Sequence, residues 1–94
     1  MLEKLQFYID GQWVDPVKPN TLDVVNPATE EVYGRISIGS AEDVDLAVSA
    51  AVRAFESYSQ TSREQRIDLL QSILDVFKRR ADDVAEAIMD EMGA

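Results

Sequence analysis

The sequence predicts an α+β architecture: an N-terminal β-hairpin and short antiparallel strands, followed by three α-helices. Three observations carry this. The chain divides at Ser40, with all three prolines and three of the four glycines before it, and only Gly93 after it. Before Ser40 the apolar residues alternate with polar ones, the period of a strand. After it they recur at the 3.6-residue period of amphipathic helices. Residues 1–39 are therefore expected to form strands and turns. Residues 40–94 are expected to form a three-helix segment, and the two together one incomplete domain.

The hairpin comes first. Asp10-Gly11 separates Phe7-Tyr8-Ile9 from Gln12-Trp13-Val14, and a two-residue primed turn needs positive φ at both central positions, which Asp and Gly tolerate. Asp15 to Asn20, with Pro16 and Pro19, reads as loop. Thr21 to Val25 reads as a second strand region. Asn26-Pro27 then turns the chain, because Pro fixes its own φ and pushes the residue before it out of the helical region. In Val32 to Ile38, alternation marks a third strand region, ended by Gly39.

Ser40, with Asp43 three residues on, starts helix one in the manner of a capping box, with Asp where Glu or Gln is usual. That helix is expected over about Ala41 to Tyr58. Val44, Ala47, Val48, Ala51, Val52 and Phe55 form its apolar stripe, kept shallow by alanine so that another element can approach. Ser59-Gln60-Thr61 is a break. Either Thr61 with Glu64 or Ser62 with Gln65 can box the start of helix two, expected over about Ser62 to Arg80. Ile67, Leu70, Ile73, Leu74 and Phe77 share one face of it, widened by Leu69 and Val76. Helix three is expected over about Asp82 to Met92, with Asp82 as a possible cap. Periodicity alone allows helices two and three to run on as one.

Composition excludes several functions. The 94 residues carry 18 acids against 9 bases, a net charge of −9. Such a surface is a poor partner for nucleic acid or anionic membrane, which need clustered Lys and Arg. Lys78-Arg79-Arg80 reads instead as helix termination, where cations favour the dipole. The chain has no Cys and no His. Disulfides, thiolate metal sites and activated Ser nucleophiles are therefore outside its own means. Cysteine-free composition fits a reducing compartment, no apolar run reaches bilayer length, and the first six residues carry no secretory signal. The expected localisation is cytoplasmic.

Several clusters are candidate sites. Asp82, Glu86 and Asp90 share one helix face and could attract a hard cation, but a solvated outer face is the simpler reading. Tyr8, Trp13, Tyr33 and Tyr58 read as half-buried cover. The glycines are too scattered for a dinucleotide loop. An acidic helical carrier or protein-interaction module is the alternative reading. For an acyl carrier, though, Ser72 would need an Asp-Ser-Leu setting and lies in Leu70-Gln71-Ser72-Ile73.

The ordered string from Val24-Val25-Asn26-Pro27-Ala28-Thr29 through Gly34, then Gly39-Ser40-Ala41-Glu42-Asp43-Val44, resembles the N-terminal end of the aldehyde dehydrogenase superfamily. The opening hairpin, the helix through Phe55, Arg66 to Leu70 and Glu91-Met92-Gly93 extend the resemblance over almost the whole chain. Tyr58 stands where the family often has Trp, and Met92 and Ala94 depart from its common Glu-Thr-Gly-Lys close. These departures leave the subfamily, and so the substrate, open.

The resemblance implies an N-terminal fragment of a much longer NAD(P)-dependent enzyme, lying in an α/β fold beside its Rossmann-like NAD(P)-binding domain. It implies a bend near Ala81-Asp82. It places the Cys nucleophile and Glu base downstream, so the fragment itself carries no catalytic or cofactor-binding residue and is expected to be inactive and to bind no cofactor alone. It implies one site here: a monovalent cation held by main-chain oxygens of Val24 and Val25 and by Glu91. The expected partners are the rest of the dehydrogenase chain, an aldehyde substrate and further copies in a homo-oligomer.

Overall fold

A computed structural model describes residues 1–93; Ala94, last of the closing motif, lies outside them. Short strands come first and three helices follow. The strands are β1 (Leu2–Lys4), β2 (Phe7–Ile9), β3 (Gln12–Val14), β4 (Thr21–Asn26) and β5 (Glu31–Ser37). The helices are α1 (Ala41–Tyr58), α2 (Arg63–Arg79) and α3 (Ala81–Met92). β2 and β3 pair antiparallel through the predicted turn, with Asp10 at φ 56° and Gly11 at φ 75°. β4 and β5 pair antiparallel, and the turn between them is built as the sequence suggests. Asn26 Oδ1 accepts the Ala28 N–H at 2.9 Å, and Glu30 N–H donates to the Asn26 carbonyl at 2.8 Å.

One strand was not legible in the sequence. β1 lies on the outer edge of β5 and pairs with it in parallel, giving a sheet of order β1-β5-β4. Its room comes from Gly34: a Cβ there would stand 2.8 Å from the Leu2 carbonyl oxygen. All three β1 residues are exposed, so the strand is held by backbone pairing and not by an apolar face.

The helix starts are strongly specified. Ser40 Oγ accepts the Asp43 N–H while the Asp43 carboxylate accepts the Ser40 N–H, a complete box despite the shorter acid. Of the two candidate boxes for α2, Ser62 with Gln65 forms it. Thr61 instead donates its hydroxyl to the Tyr58 carbonyl. Asp82 does not cap α3. The two helices share Arg80 as their junction, with no side-chain cap bond, and Asp82 falls in the first turn, where its charge still favours the dipole. Gly93 ends α3 in the left-handed conformation, φ 71°.

The packing departs most from expectation. α1 lies against β2, α3 against β4, and α2 meets α3. α1 turns Ala47, Ala50, Ala51 and Ala54 toward the hairpin, so the predicted stripe is split and its Val48, Val52 and Phe55 edge stays exposed. The aromatic cover is likewise more open than expected: Tyr8, Trp13 and Tyr58 are exposed, and only Tyr33 is half-buried. Tyr8 and Trp13 rest on each other, ring centroids 5.1 Å apart. Among the described residues, Gly34, Asp43 and Ala50 alone are buried.

The dimensions explain this. The chain spans 48 × 34 × 15 Å, with a radius of gyration of 17.0 Å. A compact domain of this length has a radius near 12 Å. The chain is extended and thin, and its apolar faces are left open.

Candidate functional site

The most specific local feature is the buried carboxylate of Asp43. Oδ1 accepts the Val17 N–H at 3.0 Å, and Oδ2 accepts the Ser40 N–H at 2.9 Å and the Ser40 hydroxyl at 3.0 Å. These bonds favour the ionised form, chiefly those from the Ser40 and then the Val17 backbone, and hold the carboxyl below its ordinary range. Asp43 thus fastens the Pro16–Pro19 loop to the start of α1. Ser40 and Ser62 serve as caps, in keeping with their reading as structural residues.

The three residues expected to hold a cation lie on β4 and α3, which pack on each other. Val24 and Val25 are in β4, and Glu91 is in the last turn of α3. Val24 and Glu91 line one cavity of about 60 Å³ together with Leu2, Tyr33 and Gly34; Val25 is not among its lining residues. The register of β4 on β5 shifts between Val24 and Val25: Val24 faces Gly34 and Val25 faces Val32, leaving Tyr33 as the extra residue. A bulge of this kind interrupts the ladder and re-aims groups locally.

The approach of α3 is close. A Cβ on Gly93 would stand 2.8 Å from the Ala28 nitrogen and 3.2 Å from Pro27 Cγ, so the helix end is seated on the β4–β5 turn. The electrostatics there are negative. Asp90 and Glu91 stand in a last turn with no basic residue, at the negative end of the helix dipole. Tyr33 registers the same environment: partial burial first, then the charges of Glu91 and Asp90, push its hydroxyl up. Lys4 and Arg35 also line the cavity, and Arg35 is paired with Asp23 at 3.0 Å. Tyr33 was not singled out for this site; the break in alternation at Gly34 is the only local signal for it. Among the described residues, no three His, Cys, Asp or Glu side chains are gathered to hold a metal, so Asp82, Glu86 and Asp90 remain an outer face. No described helix is long and apolar enough to cross a membrane.

The wider surface is apolar. Leu70, Ile73 and Phe77 of α2 and Ile88 and Met92 of α3 are exposed. An open hollow of about 300 Å³ lies between the two helices beside Ile73, Phe77 and Val84. A second, of about 420 Å³, lies between the hairpin and α1 beside Phe7, Ile9 and Val44.

Comparison with known proteins places these observations. Residues 13–94 match the model of the aldehyde dehydrogenase family. The chain is 50% identical over 94 residues to a 3-succinoylsemialdehyde-pyridine dehydrogenase of a Pseudomonas species, covering all of this chain and 20% of that protein. Its fold superposes on an aldehyde dehydrogenase from Bartonella henselae with a TM-score of 0.98 at 44% identity, again covering all of this chain and 20% of the other. It also superposes on a cysteine-to-alanine variant of aldehyde dehydrogenase C from Pseudomonas syringae, crystallised with NAD+ and octanal. There the TM-score is 0.93 at 48% identity, covering 96% of this chain and 19% of that one. The chain spans about a fifth of the length of these relatives, and it belongs to the aldehyde dehydrogenase family.

Proposed function

We propose that the chain is the N-terminal part of an NAD(P)-dependent aldehyde dehydrogenase that oxidises an aldehyde to a carboxylic acid, and that it contributes scaffold and not chemistry. The observation that carries this is its likeness, at a TM-score of 0.93 and 48% identity, to part of an enzyme crystallised with NAD+ and octanal. In the proposed reaction a Cys thiolate attacks the aldehyde, hydride passes to the nicotinamide, and water activated by a Glu hydrolyses the thioester. The chain contains neither Cys nor His, so the nucleophile belongs to the longer protein. Its place is beside the Rossmann-like NAD(P)-binding domain of that protein, which we take to be a cytoplasmic homo-oligomer.

The monovalent cation proposed at Val24, Val25 and Glu91 is supported by three features: the bulge between the two valines, the cavity that Val24 shares with Glu91, and a helix end with no basic residue in its last turn. Oxygen donors of this kind suit a hard cation. When bound, the cation would tie β4 to α3 and supply no redox or acid–base step.

A second reading, a free-standing acidic interaction module, is favoured by the exposed apolar helices. One experiment separates the two. The chain is spliced in place of the matching first fifth of the Pseudomonas syringae enzyme, and NADH formation from octanal is followed. An active hybrid is expected, with no activity from the 94-residue chain alone. A folded hybrid without activity overturns the dehydrogenase reading, and turnover by the chain alone overturns its scaffold role.

A further inference from the structure

The cavity between β4 and α3 has a third wall, and that wall carries a charge opposite to Glu91. β1 runs parallel to β5, with Leu2 opposite Gly34 and Lys4 opposite Ile36. Side chains two apart on a strand share a face, and Leu2 and Lys4 both line the cavity of about 60 Å³ with Val24, Tyr33 and Glu91. β1 is pinned on either side of Lys4. At Gly34 a Cβ would stand 2.8 Å from the Leu2 carbonyl oxygen, so the missing side chain lets the two backbones close. Just past Lys4, the Ser37 hydroxyl donates to the Leu5 carbonyl at 2.6 Å. Lys4 is thereby fixed at the wall of the cavity by groups that are not its own.

Of the two basic side chains at the cavity, Arg35 is committed to Asp23 at 3.0 Å. Lys4 is in no ion pair among the described residues. The negative charge comes from Glu91, with Asp90 beside it at the C-terminal end of α3. Lys4 also borders a second, open hollow of about 410 Å³ beside Glu3 and Trp13. Its flexible four-carbon stem ends in a compact point charge, so the ammonium has two places to stand. We propose that Lys4 is a built-in competitor for the cation site: its ammonium neutralises Glu91 when no metal ion is bound, and moves to the hollow beside Glu3 when a monovalent cation enters. The inference rests on the cation reading above. An ammonium and a monovalent ion carry the same charge, and one lining carboxylate balances one of them. Bringing in the second places like charges a few ångströms apart, which is unfavourable. Lys4 thus sets how much cation the site requires, and links its occupancy to the position of the β1 side chain.

The test titrates the chain with sodium chloride, choline chloride holding the ionic strength constant so that general screening does not change. Two readouts follow binding: the rise in Tm and the broadening of the sodium magnetic-resonance line. Lys4→Gln removes the competing charge and should lower the half-saturating sodium concentration about tenfold. Lys4→Met, equally neutral but without hydrogen-bonding groups, should do the same. Lys4→Arg keeps the charge and should stay near the parent. β1 is exposed, so circular dichroism of all three should match the parent. Lys78→Gln makes the same change in net charge on the exposed end of α2 and should leave the titration where it was. Glu91→Gln should abolish the response. Lys4→Gln and Lys4→Met chains that saturate at the parent's concentration, that bind sodium more weakly, or that shift no further than Lys78→Gln overturn the competition while leaving the cation site standing. A sodium response absent from the parent and from both neutral variants overturns the cation reading, and the competition with it.

Discussion

Replacing Gly93 with Ala should unseat α3 from the sheet. Gly93 has φ 71°, and a left-handed backbone costs an ordinary L-residue about 1–2 kcal/mol. The added Cβ would also stand 2.8 Å from the Ala28 backbone nitrogen. A backbone atom in a tight turn cannot swing aside, and overpacking of this kind costs about 1–3 kcal/mol. Together the two effects amount to roughly 2–5 kcal/mol, enough to lower Tm by roughly 10 °C or more in a chain this small. Gly93→Asn separates them, because Asn tolerates positive φ but keeps the Cβ; it should show about half the loss. Thermal unfolding followed by circular dichroism at 222 nm measures both. A Gly93→Ala chain within about 0.5 kcal/mol of the parent, a size expected of ordinary surface changes, would refute the reasoning. So would a Gly93→Asn chain identical to the parent, since the close approach would then carry no cost.

Three further outcomes are expected. Ser40→Ala removes the acceptor of the α1 cap and should cost about 1 kcal/mol, read as a fall in Tm; an unchanged Tm would place the nucleus of the helix elsewhere. Asp43 titrates below its ordinary value in the folded chain, chiefly through the Ser40 and Val17 backbone bonds, so its contribution is present above the unfolded carboxyl value of about 3.9 and is lost as pH falls through the folded one. The stability gap between the parent and Asp43→Asn should therefore be constant near neutrality and close in acid, and a gap that widens toward low pH would contradict the assignment. Alone in solution at micromolar to millimolar concentration, the chain should form a small defined oligomer, most simply a dimer through α2 and α3; a strictly monomeric mass by light scattering across that range would sink the idea.

Which features the sequence revealed follows from the range of the forces involved. The hairpin turn at Asp10-Gly11 and the boxes at Ser40 and Ser62 are interactions within four residues, so residue type and spacing are enough to place them. The Asp43–Ser40 bond belongs to that class, but the Asp43–Val17 bond crosses a loop and has no local mark. β1 was missed for the same reason: Leu2-Glu3-Lys4 is too short to show alternation, and what seats it is the missing side chain of Gly34 on a distant strand. The meeting of Val24 and Glu91 in one cavity is equally non-local, and only family resemblance paired those positions beforehand. The apolar stripes were legible, but what covers them was not. A stripe states that a face is to be buried, and Val48, Val52 and Phe55 show that the burying partner need not lie within reach.

This separation of shape from burial bears on how such a segment can work. A chain with three buried residues among those described, Gly34, Asp43 and Ala50, lacks the apolar core that normally selects one arrangement of elements. Its arrangement nevertheless matches a piece of a much longer protein at a TM-score of 0.98. Selection of the shape must then rest on directional, short-range terms: capping boxes at Ser40 and Ser62, positive φ at Asp10, Gly11 and Gly93, the Asx turn at Asn26, and the Asp43 clasp. Terms of this kind fix geometry at about 1 kcal/mol apiece but sum to far less than the hydrophobic stabilisation of a core. On the proposed function the same division holds for chemistry: the segment sets where strands, turn and helix ends stand, and it carries no Cys to act as a thiolate.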